Sequence, residues 1–201
     1  MWVTDISNKW TKRANKRFSK KQFIPEEYVK YEDIIMQAYK YFYEWYTVKE
    51  ILYSLCLNLC SSIKNSYIQQ ELNEWDVSTI CEELVSYDIV DYEWDLLWWV
   101  YQSLLTEWEK NKKGSYYTPD FVVKDQIKSF FKDGYIVLDP CCWTWQYLIN
   151  IPSSNPLNIW GFDSDDLAVR IARVNIMLKY PNIDFQPNIF NEDSLILNPI
   201  F

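Results

Sequence analysis

Histidine is absent from this 201-residue chain. No imidazole can serve as general base, triad partner or metal ligand, so His-dependent triads and His-ligated metal centres are excluded. Cysteine is sparse: Cys56, Cys60, Cys81, Cys141 and Cys142 make an odd number and form no C-x-x-C knuckle, so no metal partner is expected. Cys56 and Cys60, one helical turn apart, read as core-facing residues. Long apolar runs are missing too. None approaches the ~18 residues of a membrane span, and no signal-peptide pattern is seen. These absences give the expectation of a cytoplasmic, reduced protein with no membrane partner.

Glycine is the sharpest shortage. Average usage of about 7% gives roughly 14 glycines in such a chain, and only Gly114, Gly134 and Gly161 occur, against eleven tryptophans. The two counts together restore an ordinary glycine allowance. Either the chain is naturally Trp-rich, or a codon that its source reads as glycine, such as a reassigned stop codon, has been rendered as Trp. The net charge of -8 and pI near 4.7 argue against nucleic-acid binding through bulk positive charge. A DNA-directed role would need another segment.

Residues 1–22 form a basic tail in which Lys9, Lys12, Arg13, Lys16, Arg17, Lys20 and Lys21 follow one another with no acid between them. Residues 23–113 read as helical. Pro25, Glu26 and Glu27 suit a first helical turn, and Ile34, Ile35, Ala38, Tyr41, Phe42 and Trp45 recur at helical spacing, as do Ile51, Leu52, Leu55, Leu59 and Ile63. A break near Thr47 separates two helices. From Lys64 to Lys110 acids accumulate without a single base, which predicts a face turned to solvent or to a basic partner surface elsewhere in a longer chain. The carboxylate spacing does not match a calcium loop. A further helix is expected over 95–113.

Residues 114–201 alternate helix and strand, which predicts a parallel α/β sheet. Helices are expected at 120–131, 146–151 and 165–180, and strands at 135–138, 157–162 and 189–192. The first strand runs straight into Asp139-Pro140 and a loop of the kind that brings backbone close to a ligand. Such loops favour glycine, yet Trp143 and Trp145 stand here.

Four motifs in order give a more specific reading: Tyr116-Tyr117-Thr118-Pro119; Asp139-Pro140-Cys141-Cys142-Trp143-Thr144-Trp145-Gln146-Tyr147-Leu148; Gly161-Phe162-Asp163-Ser164-Asp165-Asp166-Leu167-Ala168; and Asp193-Ser194-Leu195. This segment resembles the gamma-class N6-adenine DNA methyltransferases, especially those fused into type IIG restriction-modification enzymes. Trp143 and Trp145 fall where that family has glycine. The earlier Asp95-Leu96-Leu97-Trp98-Trp99-Val100-Tyr101 is similar to another family motif, again with Trp98 at the glycine position.

The resemblance implies an N-terminal helical region followed by an incomplete Rossmann-like class I methyltransferase sheet, with S-adenosyl-L-methionine as cofactor. It implies cofactor-binding roles for Thr118, Pro119, Asp139, Cys141, Trp143, Trp145, Asp163 and Asp193. Thr118 would hydrogen-bond the amino-acid end, or simply cap the next helix. Asp139 would lie beside the methionine ammonium, Asp163 would accept the ribose hydroxyls, and Asp193 would accept the adenine amine. True indoles at 143 and 145 would fill the pocket.

The family's catalytic Asn-Pro-Pro-aromatic motif is expected beyond Phe201, because Asn198-Pro199-Ile200-Phe201 follows Asp193 too closely for a parallel crossover. The expectation is an N-terminal fragment, inactive alone, of an enzyme that meets DNA through the remainder of the chain. Other readings are a SAM-dependent methyltransferase acting on RNA, protein or a small molecule, and a non-catalytic helical module with a defunct Rossmann remnant.

Overall fold

A computed structural model describes residues 31–89, 96–106, 109, 118, 120–143 and 145–196. The basic tail, Asp95, the Tyr116-Tyr117 pair, Pro119, Thr144 and the terminal Asn198-Pro199-Ile200-Phe201 lie outside them. The chain divides into two units. One takes Met1–Asn58 and Val77–Tyr116, the other Leu59–Asp76 and Tyr117–Phe201.

The first unit is helical: α1 (Glu32–Tyr43), α2 (Val48–Cys60, whose last residues belong to the second unit), α4 (Glu82–Val85) and α5 (Leu96–Leu104). α1 buries Ile34, Ile35, Ala38 and Tyr41 of the stripe expected from spacing, and Tyr39 besides, whereas Phe42 is half-buried and Trp45, past the helix end, is exposed. The expected break is built by residues 44–47. Thr47 starts α2 with a reciprocal cap: its N–H donates to Glu50 Oε2 at 2.7 Å, and the Glu50 N–H donates to Thr47 Oγ1 at 3.2 Å. α5 is buried on every side, Trp98 and Trp99 included, rather than along one apolar face. A helix apolar all round belongs at the centre of its unit. The Tyr39 hydroxyl ties α1 to it, donating to Ser103 O at 2.6 Å.

The second unit contains α3 (Ser66–Asn73), α6 (Asp120–Phe130), β1 (Val137–Asp139), α7 (Gln146–Asn150), β2 (Ile159–Asp163), α8 (Asp166–Lys179) and β3 (Asn188–Asn191). The strands form one parallel sheet in the order β1-β2-β3. Val137 pairs with Ile159, Asp139 with Gly161, and Asp163 with Asn191. α7 and α8 supply the crossovers that parallel pairing requires. The expected succession of a helical region and a Rossmann-like parallel sheet is therefore the observed one.

Three details differ from expectation. β1 begins only at Val137; Tyr135 and Ile136 are exposed, outside the span that pairs with β2. Leu157 and Asn158 belong to a 3-10 turn, Pro156–Asn158, capped by the Asn155 side chain accepting from the Leu157 N–H. The acidic stretch is not turned wholly outward. Glu71 on α3 is buried and meets Arg170 at 3.4 Å and Arg173 at 3.1 Å, both on α8. Apolar Ile68 and Leu72 carry this carboxylate into the packed face. Burial pushes the Glu71 carboxyl up, and the two guanidinium groups pull against that rise.

Among the described residues no helix is long and apolar enough to cross a membrane, and no three His, Cys, Asp or Glu side chains are grouped to hold a metal ion.

Candidate functional site

The carboxyl ends of the three strands set the site. The register places Asp139 beside Gly161, so Asp163 extends two residues further along the neighbouring strand, beside Asn191. The loop after β1 then folds over these ends. Asp139 closes the first turn by accepting from the Cys141 N–H at 3.1 Å, an Asx turn of the kind short acidic side chains favour. The Cys142 N–H donates to Phe162 O at 2.9 Å, stitching the loop to β2.

Gly161 makes that approach possible. A Cβ there would stand 2.8 Å from Leu148 Cδ1 and 2.9 Å from Cys142 Sγ. The glycine is thus needed for close packing of the loop and α7 on the sheet.

Asp163 is the hub. Its Oδ2 accepts from the Trp143 N–H at 2.8 Å and its Oδ1 from the Asp165 N–H at 2.8 Å. The Cys141 thiol also points at Oδ2, at 3.8 Å. Asn191 steadies the same residue from β3, its side-chain amide donating to Asp163 O at 3.0 Å. Asp163 is only 7% exposed.

Burial pushes the Asp139 carboxyl above its ordinary value, and the charge of Asp163 adds to that, while the Cys141 N–H opposes it. The exposed Cys141 thiol is also raised, through partial desolvation first and then the facing carboxylates. Cys142 is buried and its thiol is pushed up strongly. Neither sulfur has the electropositive surroundings of a reactive thiolate.

Of the eight expected site residues, Asp139, Cys141, Trp143 and Asp163 are joined directly by these bonds. Trp145 closes the loop, its N–H donating to Cys142 O at 2.6 Å before α7 begins. Asp193 is exposed just past β3; its neighbour Ser194 donates to Pro140 O at 2.7 Å, which brings this turn against the loop. Thr118 is half-buried ahead of α6 and is not part of the set, and Pro119 lies outside the described residues. Asn191 and Ser194 join the site without having been singled out from the sequence. Both act through single side-chain bonds that leave no periodic trace.

The model of the N-6 DNA Methylase family matches residues 93–199, more than half of the chain. The chain belongs to this family. A relative is the Type II methyltransferase M.VspI of Vibrio sp. (strain 343), 37% identical over 78 residues. That match covers 37% of this chain and 19% of the relative, so the chain spans about a fifth of that protein's length. No solved structure matches.

Membership in the N-6 DNA Methylase family makes S-adenosyl-L-methionine the group to test against these residues. The chain as written does not fit it. Asp163, the acid at the β2 end, is buried but keeps a lone pair on each oxygen beyond the one backbone N–H that oxygen accepts, so the misfit lies in the loop. The loop that should lie flat against a ligand carries Trp143 and Trp145 instead, both in left-handed backbone.

Proposed function

We propose that this chain is the N-terminal part of a SAM-dependent DNA methyltransferase of the restriction-modification type, acting on adenine N6. Residues 1–22 form its basic tail, 23–113 its helical region and 114–201 part of its methyltransferase domain. The carrying observation is the pair of strand-end acids, Asp139 and Asp163, drawn together through the backbone of one loop, within the stretch that matches the family. In this reading Asp139, Cys141 and Asp163 border the cofactor, with Thr118, Pro119 and Asp193 around it. The catalytic Asn-Pro-Pro-aromatic motif and the DNA-reading surface belong to the chain beyond Phe201, and the fragment alone is inactive.

The test is to extend the reading frame and assay the complete protein for methyl transfer to DNA. N6-methyladenine in the product, with an Asn-Pro-Pro-aromatic a few tens of residues past Phe201, is the expected result. Transfer to RNA, protein or a small molecule would replace the substrate assignment, and a genuine stop after Phe201 would favour a non-catalytic module.

A further inference from the structure

Four described residues other than glycine have a left-handed φ: Trp45 at 72°, Asp76 at 47°, Trp143 at 44° and Trp145 at 98°. Three of the four are tryptophan. A bulky side chain in that region is an outlier, since Cβ crowds the backbone, whereas Asp tolerates it through local hydrogen bonding.

Each Trp position is also a place where the local motif favours glycine. Trp45 follows the C-cap of α1. The Tyr46 N–H donates to Tyr41 O at 3.1 Å and the Trp45 N–H to Phe42 O at 3.4 Å, which is the Schellman pairing. The residue at Trp45's place in that motif is usually glycine. Its indole is 93% exposed and gains nothing from burial. Trp143 sits in the tight turn whose N–H reaches Asp163. Trp145 is the N-cap of α7, where Ser, Thr, Asp, Asn or Gly is preferred and where the structure has no side-chain cap. It is also fully buried, with its indole N–H lacking a hydrogen-bond partner. Glycine removes the strain and the orphaned donor together.

Trp45 lies in the other unit from Trp143 and Trp145, so one crowded loop does not explain the pattern. The chain-wide shortage of glycine and excess of tryptophan point the same way.

We infer that positions 45, 143 and 145 are glycine in the protein as its source makes it, a codon read there as glycine having been rendered as tryptophan. At 143 and 145 this rests on the proposed function for its meaning: glycine there removes the two indoles from the loop that would face the cofactor. At 45 it rests on backbone geometry alone.

Peptide mass spectrometry of the protein isolated from its source decides the identity. Glycine at all three positions is expected, and tryptophan at any of them overturns the inference. A second measurement uses the 201-residue chain made recombinantly. Trp45→Gly, which removes no buried contact, should shift the urea midpoint upward; an unchanged or lower midpoint counts against the inference. The triple variant Trp45→Gly, Trp143→Gly, Trp145→Gly is then titrated with S-adenosyl-L-methionine by calorimetry, beside the chain as written. Binding gained only by the variant supports both readings. Glycine in the native peptides and a stabilised Trp45→Gly chain, without binding, would keep the inference and count against the cofactor assignment.

Discussion

A methyl group on residue 161 has nowhere to go. Leu148 Cδ1 and Cys142 Sγ already stand within 3 Å of where it would sit, and Cys142 is fastened through its N–H to Phe162 O. Gly161→Ala should therefore cost about 1–3 kcal/mol, the usual range for overpacking a tight interior. A downward shift of the urea midpoint measures it, and an unchanged midpoint would mean that Leu148 and Cys142 yield freely. The strand-end acids were legible from sequence because an apolar run ending in Asp is a simple pattern. The closure of both Asp163 oxygens on backbone N–H groups was not, since it depends on the path of a loop whose left-handed residues no propensity predicts.

α3 and α8 are held together by a buried carboxylate between two arginines. Arg173 meets Glu71 at 3.1 Å and also donates from Nε to Ile189 O at 2.8 Å, so one side chain links α3, α8 and β3. Arg173→Leu should cost about 1–3 kcal/mol, because the buried Glu71 keeps only Arg170 and the Ile189 carbonyl loses its donor. Urea unfolding tests this; a loss below ~1 kcal/mol would place the pair with exposed salt bridges instead. The longer elements were readable from period: most of the stripe of α1, and the span of α8, follow from apolar residues that recur every three to four positions. α3 escaped because it has only eight residues and its buried acid looks, in sequence, like its exposed neighbours. β1 was read too long at its start because apolar character at Tyr135 and Ile136 does not reveal where the paired strand begins.

Across the whole chain, buried thiols govern behaviour in alkali. Burial pushes Cys60 up to about 12 and Cys81 up to about 11 from the usual 9.0, and raises Cys142 as well. Above pH 9.0 the unfolded chain loses protons that the folded chain keeps, so unfolding becomes more favourable as pH rises. Lys179 opposes this: burial lowers it to about 8 from 10.5, so the unfolded chain holds the extra proton between those values. Three thiols outweigh one amine, and stability should fall from pH 9.0 toward 11. Urea titrations in reducing buffer on either side of 9.0 check the sign, and Cys60→Ala with Cys81→Ala should flatten the slope.

The all-parallel sheet also sets how the molecule must be assembled. Val137 finds Ile159 and Gly161 finds Ile189 only after an intervening crossover has been made. With no hairpin to start from, each ladder begins by closing a long loop, whose entropy is lost before any strand contact is gained. During synthesis β1 therefore leaves the ribosome without a partner and waits for β2, and the far edge of β2 in turn stays unpaired until α8 and β3 have followed.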